Sequence, residues 1–133
     1  MTDNKSLIDE LFTDSGAFDK ERVVRVLKSI LVIQRVENSI FYKKEIPLKN
    51  EDKVLAYALV KKLLKSEGIE EAGTISGKET NKKTGIPQGT VDPTIQKLKK
   101  DGLLLGSGSN YEIPAHQIED VLERLEKYTA NNK

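Results

Sequence analysis

Residues 76–113 read SGKETNKKTGIPQGTVDPTIQKLKKDGLLLGSGSNYEI, and the fold turns on them. Ser76-Gly77-Lys78-Glu79 fits a capping box, with Ser at the N-cap and Glu three positions on. The helix it opens is short, because Gly85 follows where a C′ glycine belongs. Ile86 is an apolar plug after the turn. Val91, Ile95 and Leu98 then stand at i, i+4 and i+7, one face of a further helix. Pro93 constrains where that helix begins. Proline belongs in a first turn, where the backbone N–H groups have no partner anyway. The start is therefore expected near Gly89 or Thr90, or as late as Asp92. Asp101-Gly102 ends the helix. Leu103-Leu104-Leu105 and Tyr111-Glu112-Ile113 flank Gly106-Ser107-Gly108-Ser109-Asn110, which reads as two strands joined by a Gly-rich loop.

Upstream of this stretch, Pro47 breaks the chain and Asn50 is expected to cap a long helix. Glu51 and Asp52 fall in its first turn, favourable at the positive end of the helix dipole. Leu55, Leu59 and Leu63 make one apolar stripe, and Ala56, Val60 and Leu64 make another about 100° round. A helix apolar over so wide an arc is covered on two sides. Gly68 ends it. Farther back, Asp19 offers a cap for a helix carrying Val23, Val26, Leu27, Ile30 and Ile33. The β-branched run Ile30-Leu31-Val32-Ile33, with Val36, Ile40 and Tyr42 beyond, reads as a helix to about Leu31 followed by a hairpin or strand to about Lys44. A helix continuing to Val36 is the alternative, and periodicity alone does not choose. Leu7, Ile8, Leu11 and Phe12 share one face of a first short helix capped by Ser6. Downstream, Pro114 opens a last helix, with Ile118, Val121, Leu122, Leu125 and Tyr128 on one stripe.

From Asn50 onward the order is helix, short helix, glycine turn, helix, hairpin, helix. Two helices joined by about four residues that include a glycine are the helix-turn-helix signature. On residues 76–79, 83–91, 95–103 and 111–113, the chain resembles the winged helix-turn-helix superfamily in the compact form of small prokaryotic transcription regulators. The likeness spans about residues 50–128. One departure stands in the short helix, where Thr80, Asn81 and Thr84 replace the usual apolar anchors and leave that role to Ile75 and Ile86.

The resemblance implies that the helix near residues 90–101 lies in the major groove of double-stranded DNA, with the hairpin against a neighbouring groove or backbone. Gln96 would read a base, since an amide bonds adenine in two places. Thr90 would meet a base edge or a phosphate, and Pro93 shares the outward face. Lys97 and Lys100 would contact phosphates. Gln88 and Gly89 would offer backbone N–H groups at a helix N-terminus. Lys78, Lys82 and Lys83 would touch the backbone from the short helix, and Ser107, Ser109 and Asn110 from the wing. Each has a plainer reading. Lysines near a helix C-terminus suit the dipole without DNA, and the hairpin glycines serve the turn.

Composition bounds the rest. The 133 residues carry 22 Lys+Arg against 21 Asp+Glu, for a net charge of +1. The near-zero total hides a gradient. Residues 76–100 hold six lysines against Glu79 and Asp92, whereas residues 101–133 hold six acids against three bases. A basic segment flanked by acidic ones suits a local phosphate-binding surface, and equally a solvated face. Cys is absent and His occurs once, at His116. That removes thiol chemistry, disulfides and two-histidine sites. Glu119, Asp120 and Glu123 have a spacing ordinary for an exposed helix. No phosphate-binding loop or nucleophile triad is present, so the chain is expected not to be an enzyme and no cofactor is implied. No apolar run approaches membrane-span length and the first ten residues are polar, so a cytoplasmic protein is expected.

The expected fold is mainly α with a small β-hairpin. Residues 1–47 form an N-terminal helical and β extension, and residues 48–130 a winged helix-turn-helix. The expected function is double-stranded DNA binding in transcription regulation. A winged helix that serves as a protein-interaction subunit or adaptor is the alternative. A third option is a small-molecule sensor, for which no ligand-specific group is visible. The apolar faces on residues 53–65 and 118–128 would serve a homodimer, or would pack on residues 7–33 within one chain.

Overall fold

The computed structural model describes residues 19–130, so the expected helix around Leu7 to Phe12 lies outside the described residues. Helix α1 spans Lys20–Ile30, and the Asp19 side chain accepts from the Arg22 N–H at 3.2 Å, as its cap position predicts. The chain then turns directly into strand β1, Leu31–Gln34, and returns as β2, Ser39–Tyr42. The register pairs Leu31 with Tyr42, Val32 with Phe41, Ile33 with Ile40 and Gln34 with Ser39. Of the two readings of this segment, the hairpin is the one adopted. Crowded β-branched side chains suit a pleated surface better than a helix. The alternation is clean: Leu31 and Ile40 are buried, while Val32 and Phe41 on the other face are more than half exposed.

Helix α2, Asn50–Ser66, is the centre of the molecule. Residues 54–60 are all buried in succession, a pattern that only cover from several directions produces. Helix α1 and the three helices that follow all pack against it. One expectation is corrected here. Lys49 is the N-cap and Asn50 the first helical residue, with no side-chain cap at all. Asp52 stands in the first turn as expected, and it is buried there. It accepts from Arg124 Nε at 2.5 Å and from the Tyr128 hydroxyl.

Helix α3, Gly77–Thr84, starts on Ser76, whose hydroxyl accepts from the Glu79 N–H at 3.1 Å. The Glu79 carboxylate turns to Lys61 Nζ, 3.1 Å away. Thr80, one of the polar residues standing in for an apolar anchor, is fully buried and donates to the Ser76 carbonyl at 2.7 Å. A hydroxyl satisfied by its own helix can be buried at little cost. Gly85 ends α3 with φ of +81°, a conformation that disfavours a side chain. Helix α4, Gln88–Lys100, follows with Pro87 as N-cap. Its start precedes the earliest expected position by one residue and leaves Pro93 in the second turn rather than the first. The carbonyl that Pro93 cannot serve belongs to Gly89, which is exposed to water.

Strands β3, Leu105–Ser107, and β4, Asn110–Glu112, form a second antiparallel pair, in which Leu105 faces Glu112 and Ser107 faces Asn110. The connection is only Gly108-Ser109, tighter than the five-residue loop expected. Ile75 bridges Tyr111 through two backbone hydrogen bonds of 2.7 and 2.8 Å, and so ties the entrance of α3 to the hairpin. A 3-10 turn, Ala115–Gln117, leads into α5, Ile118–Ala130.

One buried cluster runs from Val23 to Leu125. The apolar faces on residues 53–65 and 118–128 are covered within the chain, by α1 and by each other. Arg22 staples α1 to α5, donating to Glu119 at 2.7 and 2.8 Å and to Glu126 at 2.9 and 3.1 Å. Among the described residues no helix is long and apolar enough to cross a membrane.

Candidate nucleic-acid interface

Helix α4 is fastened along one side and open along the other. Val91, Ile95 and Leu98 are at most 1 % exposed. Gln88, Gly89, Asp92, Pro93, Gln96, Lys97, Lys99 and Lys100 are exposed. The N-terminus of α4 has no side-chain cap, since Pro87 supplies none. The Thr90 N–H donates to the Pro87 carbonyl at 2.9 Å, which leaves the Gln88 and Gly89 N–H groups as the donors an anion could meet at this end.

Beside this face lies a cleft of about 530 Å³ between the first residues of α3, the flank of α4 and the hairpin turn. Four of the residues expected in the site line it together: Lys78 from α3, Gln88 and Gln96 from α4, and Ser109 from the turn. Lys82, Gly89, Pro93, Lys100 and Asn110 are exposed but lie outside the cleft wall. Thr90 is half-buried, and its carbonyl accepts from the Thr94 hydroxyl at 2.6 Å. Ser107 sits in β3 opposite Asn110.

Two of the expected phosphate ligands are committed elsewhere. Lys97 Nζ lies 3.0 Å from Glu51 and 3.3 Å from Asp101. Hydrogen bonds to Glu51 first, and to Asp101 second, raise the Lys97 pKa, and Lys97 in turn holds the Glu51 carboxyl below its ordinary value. Lys83 is half-buried and donates to the Glu37 carbonyl in the turn between β1 and β2. The charge surplus of residues 76–100 is therefore partly neutralised by acids and carbonyls brought in from elsewhere in the chain.

Asp92 and Tyr111 also line the cleft, and neither was among the residues expected. Asp92 accepts from Gln88 Nε2 at 3.0 Å, and its Oδ1 stands 2.3 Å from where a Cβ on residue 77 would be. A side chain at 77 would push the Asp92 carboxylate aside. Tyr111 accepts from Gln96 Nε2 at 3.3 Å and donates to the Gly108 carbonyl at 3.2 Å, which joins α4 to the hairpin turn. Lys99 Nζ stands 5.7 Å from the Tyr111 ring centre, within cation–π range. The spacing of Gln88, Asp92 and Gln96, each four residues from the next, was the sequence signal that Asp92 shares their flank. Compared with known protein families, curated proteins and solved structures, the chain matches none.

Proposed function

We propose that the chain binds double-stranded DNA as a winged helix-turn-helix protein acting in transcription regulation. Helix α4 would enter the major groove, and the Gly108-Ser109 turn would approach neighbouring backbone. The observation that carries this reading is the division of α4: an apolar side buried to the last residue, and an opposite side that is polar, exposed and open at its N-terminus. The order of α3, a glycine turn, α4 and a hairpin tied back through the Ile75–Tyr111 bridge supports the winged form. Lys78, Lys82 and Lys100 are exposed cations on the same two helices and supply the charge that phosphate binding needs.

The test is anisotropy of a labelled random duplex pool across a salt series, with wild type beside the Lys78→Glu, Lys100→Glu double variant. Binding should weaken steeply with salt. The variant should bind every sequence more weakly, with the salt slope reduced by about two. Folded wild type that ignores duplex at low salt would overturn the proposal.

That outcome would leave the second reading, a winged helix that docks on another protein. Val32 and Phe41, paired across the outer face of the β1–β2 hairpin and 54 % and 57 % exposed, favour it. A homodimer would have to use such a surface too, because the faces first expected to form it are occupied within the chain.

A further inference from the structure

We infer that Asp92 is a specificity-determining residue of α4, and that it selects, at the position it faces, a base presenting an amino group in the major groove, cytosine above all. The inference rests on the DNA-binding reading of α4.

Gln88, Asp92 and Gln96 follow one another at four-residue steps along the cleft flank. With a rise of 1.5 Å per residue, the row is about 12 Å long. That length reaches over roughly three to four base pairs. Gln96 is an amide and both donates and accepts. Asp92 when ionised only accepts.

Its position is set before any DNA arrives. Gln88 Nε2 holds Oδ1 at 3.0 Å, and Oδ1 fills the space left by the missing side chain at Gly77. The other oxygen, Oδ2, accepts no hydrogen bond among the described residues, and Asp92 is exposed. A fixed carboxylate with one open oxygen demands a donor opposite it.

The major groove offers few donors. Guanine shows two acceptors, thymine one acceptor and a methyl group, and the phosphates are anionic. Adenine carries an amino group next to the N7 acceptor, which a carboxylate repels. Cytosine carries its N4 amino group without that neighbour. Asp92 therefore attracts cytosine, tolerates adenine less, and opposes guanine, thymine and non-specific approach of phosphate.

The test starts from sites selected by the full-length wild type from a random duplex pool. Each position of the selected site is then replaced in turn by the other three bases, and affinities are measured for wild type and Asp92→Asn. Wild type should require cytosine at one position of the site, with replacement costing about ten- to a hundredfold. In Asp92→Asn the preference at that position should fall below about threefold, the other positions should keep theirs, and affinity for random duplex should rise. Gly77→Ala, which displaces Oδ1 but keeps the carboxylate, should lose the same preference.

Asp92→Asn that keeps every preference, or that weakens binding equally for all bases, would overturn the inference and leave DNA binding standing. Wild type that selects no duplex would overturn both together.

Discussion

Replacing Lys61 with Met probes how the exposed helices are held to the central one. Lys61 is only 5 % exposed on α2, and its ammonium meets the carboxylates of Glu70 and Glu79, the latter at 3.1 Å. Glu70 also accepts from Asn38 Nδ2 at 2.9 Å. One cation thus joins α2 to the first turn of α3 and, through Glu70, to the β1–β2 turn. Burial disfavours the charged ammonium, but the two carboxylates more than offset it and the Lys61 pKa is raised. Burial likewise pushes the Glu70 carboxyl up, but Lys61 and then Asn38 bring it below its ordinary value. Methionine keeps the aliphatic stem and removes the charge, leaving two carboxylates facing each other near Tyr57. Deleting one partner of a buried ion pair costs about 3–5 kcal/mol. Glu70 and Glu79 retain 22 % and 34 % side-chain exposure and can turn to water, which points to the lower end, about 3 kcal/mol. With a urea m-value of about 1.5 kcal/mol/M, the midpoint falls by about 2 M.

The loss depends on pH in a defined direction. In the wild type, Glu70 has a depressed folded pKa, so its contribution is present above the ordinary carboxylate value and is lost as pH falls through the folded one. In Lys61→Met the buried cation is gone and only Asn38 and Lys83 still oppose burial, so the folded pKa of Glu70 rises and less stability is lost on its protonation. The gap between the two proteins therefore narrows from pH 7 to pH 4. Urea unfolding followed by circular dichroism at pH 7, 5.5 and 4 measures it. A loss under about 1 kcal/mol at pH 7, or a gap independent of pH, would refute the reasoning.

Glu51→Gln removes the strongest partner of Lys97 and should tighten duplex binding, with the salt slope steepened by about one; an unchanged slope in the anisotropy titration counts against Lys97 as a latent phosphate contact. Gly106→Ala would set its Cβ 2.0 Å from the Asn110 carbonyl oxygen, a backbone atom in the paired strand, so the β3–β4 hairpin must open. The expected cost is about 1–3 kcal/mol, with faster amide exchange at Tyr111, and wild-type stability would contradict it. Arg22→Met should lose about 1 kcal/mol at pH 7. Arg22 is the first cause of the depressed Glu126 pKa, so the difference is present above the ordinary carboxylate value and lessens as pH falls through the depressed folded one, which melts at about pH 7 and about pH 3 compare. Thermal melts at the two pH values that differ equally would count against that staple.

Local chemistry was readable wherever the partner lies within one turn. Asp19 caps α1, Ser76 caps α3 and Gly85 ends it with a positive φ, each as the residue types predict. The mostly helical chain with small antiparallel hairpins was readable for the same reason. Asn50 misled because a good cap residue one position late becomes the first helical residue instead. Pro93 misled because the rule against interior proline weakens where the abandoned carbonyl belongs to an exposed glycine. The hairpin loop was drawn too wide because Gly106 and Asn110 resemble loop residues, yet both sit in paired strands.

The sequence by itself determined the kind and order of the elements and which face of each is apolar, because caps, turns and helical periodicity involve residues within about four positions of one another. Tertiary structure decided which cations are free. Lys97 is held by Glu51 at the start of α2, and Lys83 reaches a carbonyl 46 residues away. It decided that the apolar stripes of α2 and α5 cover one another with α1 rather than a second copy. It also decided that Asp92, one acid in a lysine-rich segment, lies against the start of α3 with one oxygen open. Those outcomes depend on which helices pack together and at what distance, and a charge's neighbours in a folded chain are set by that packing rather than by its neighbours in sequence.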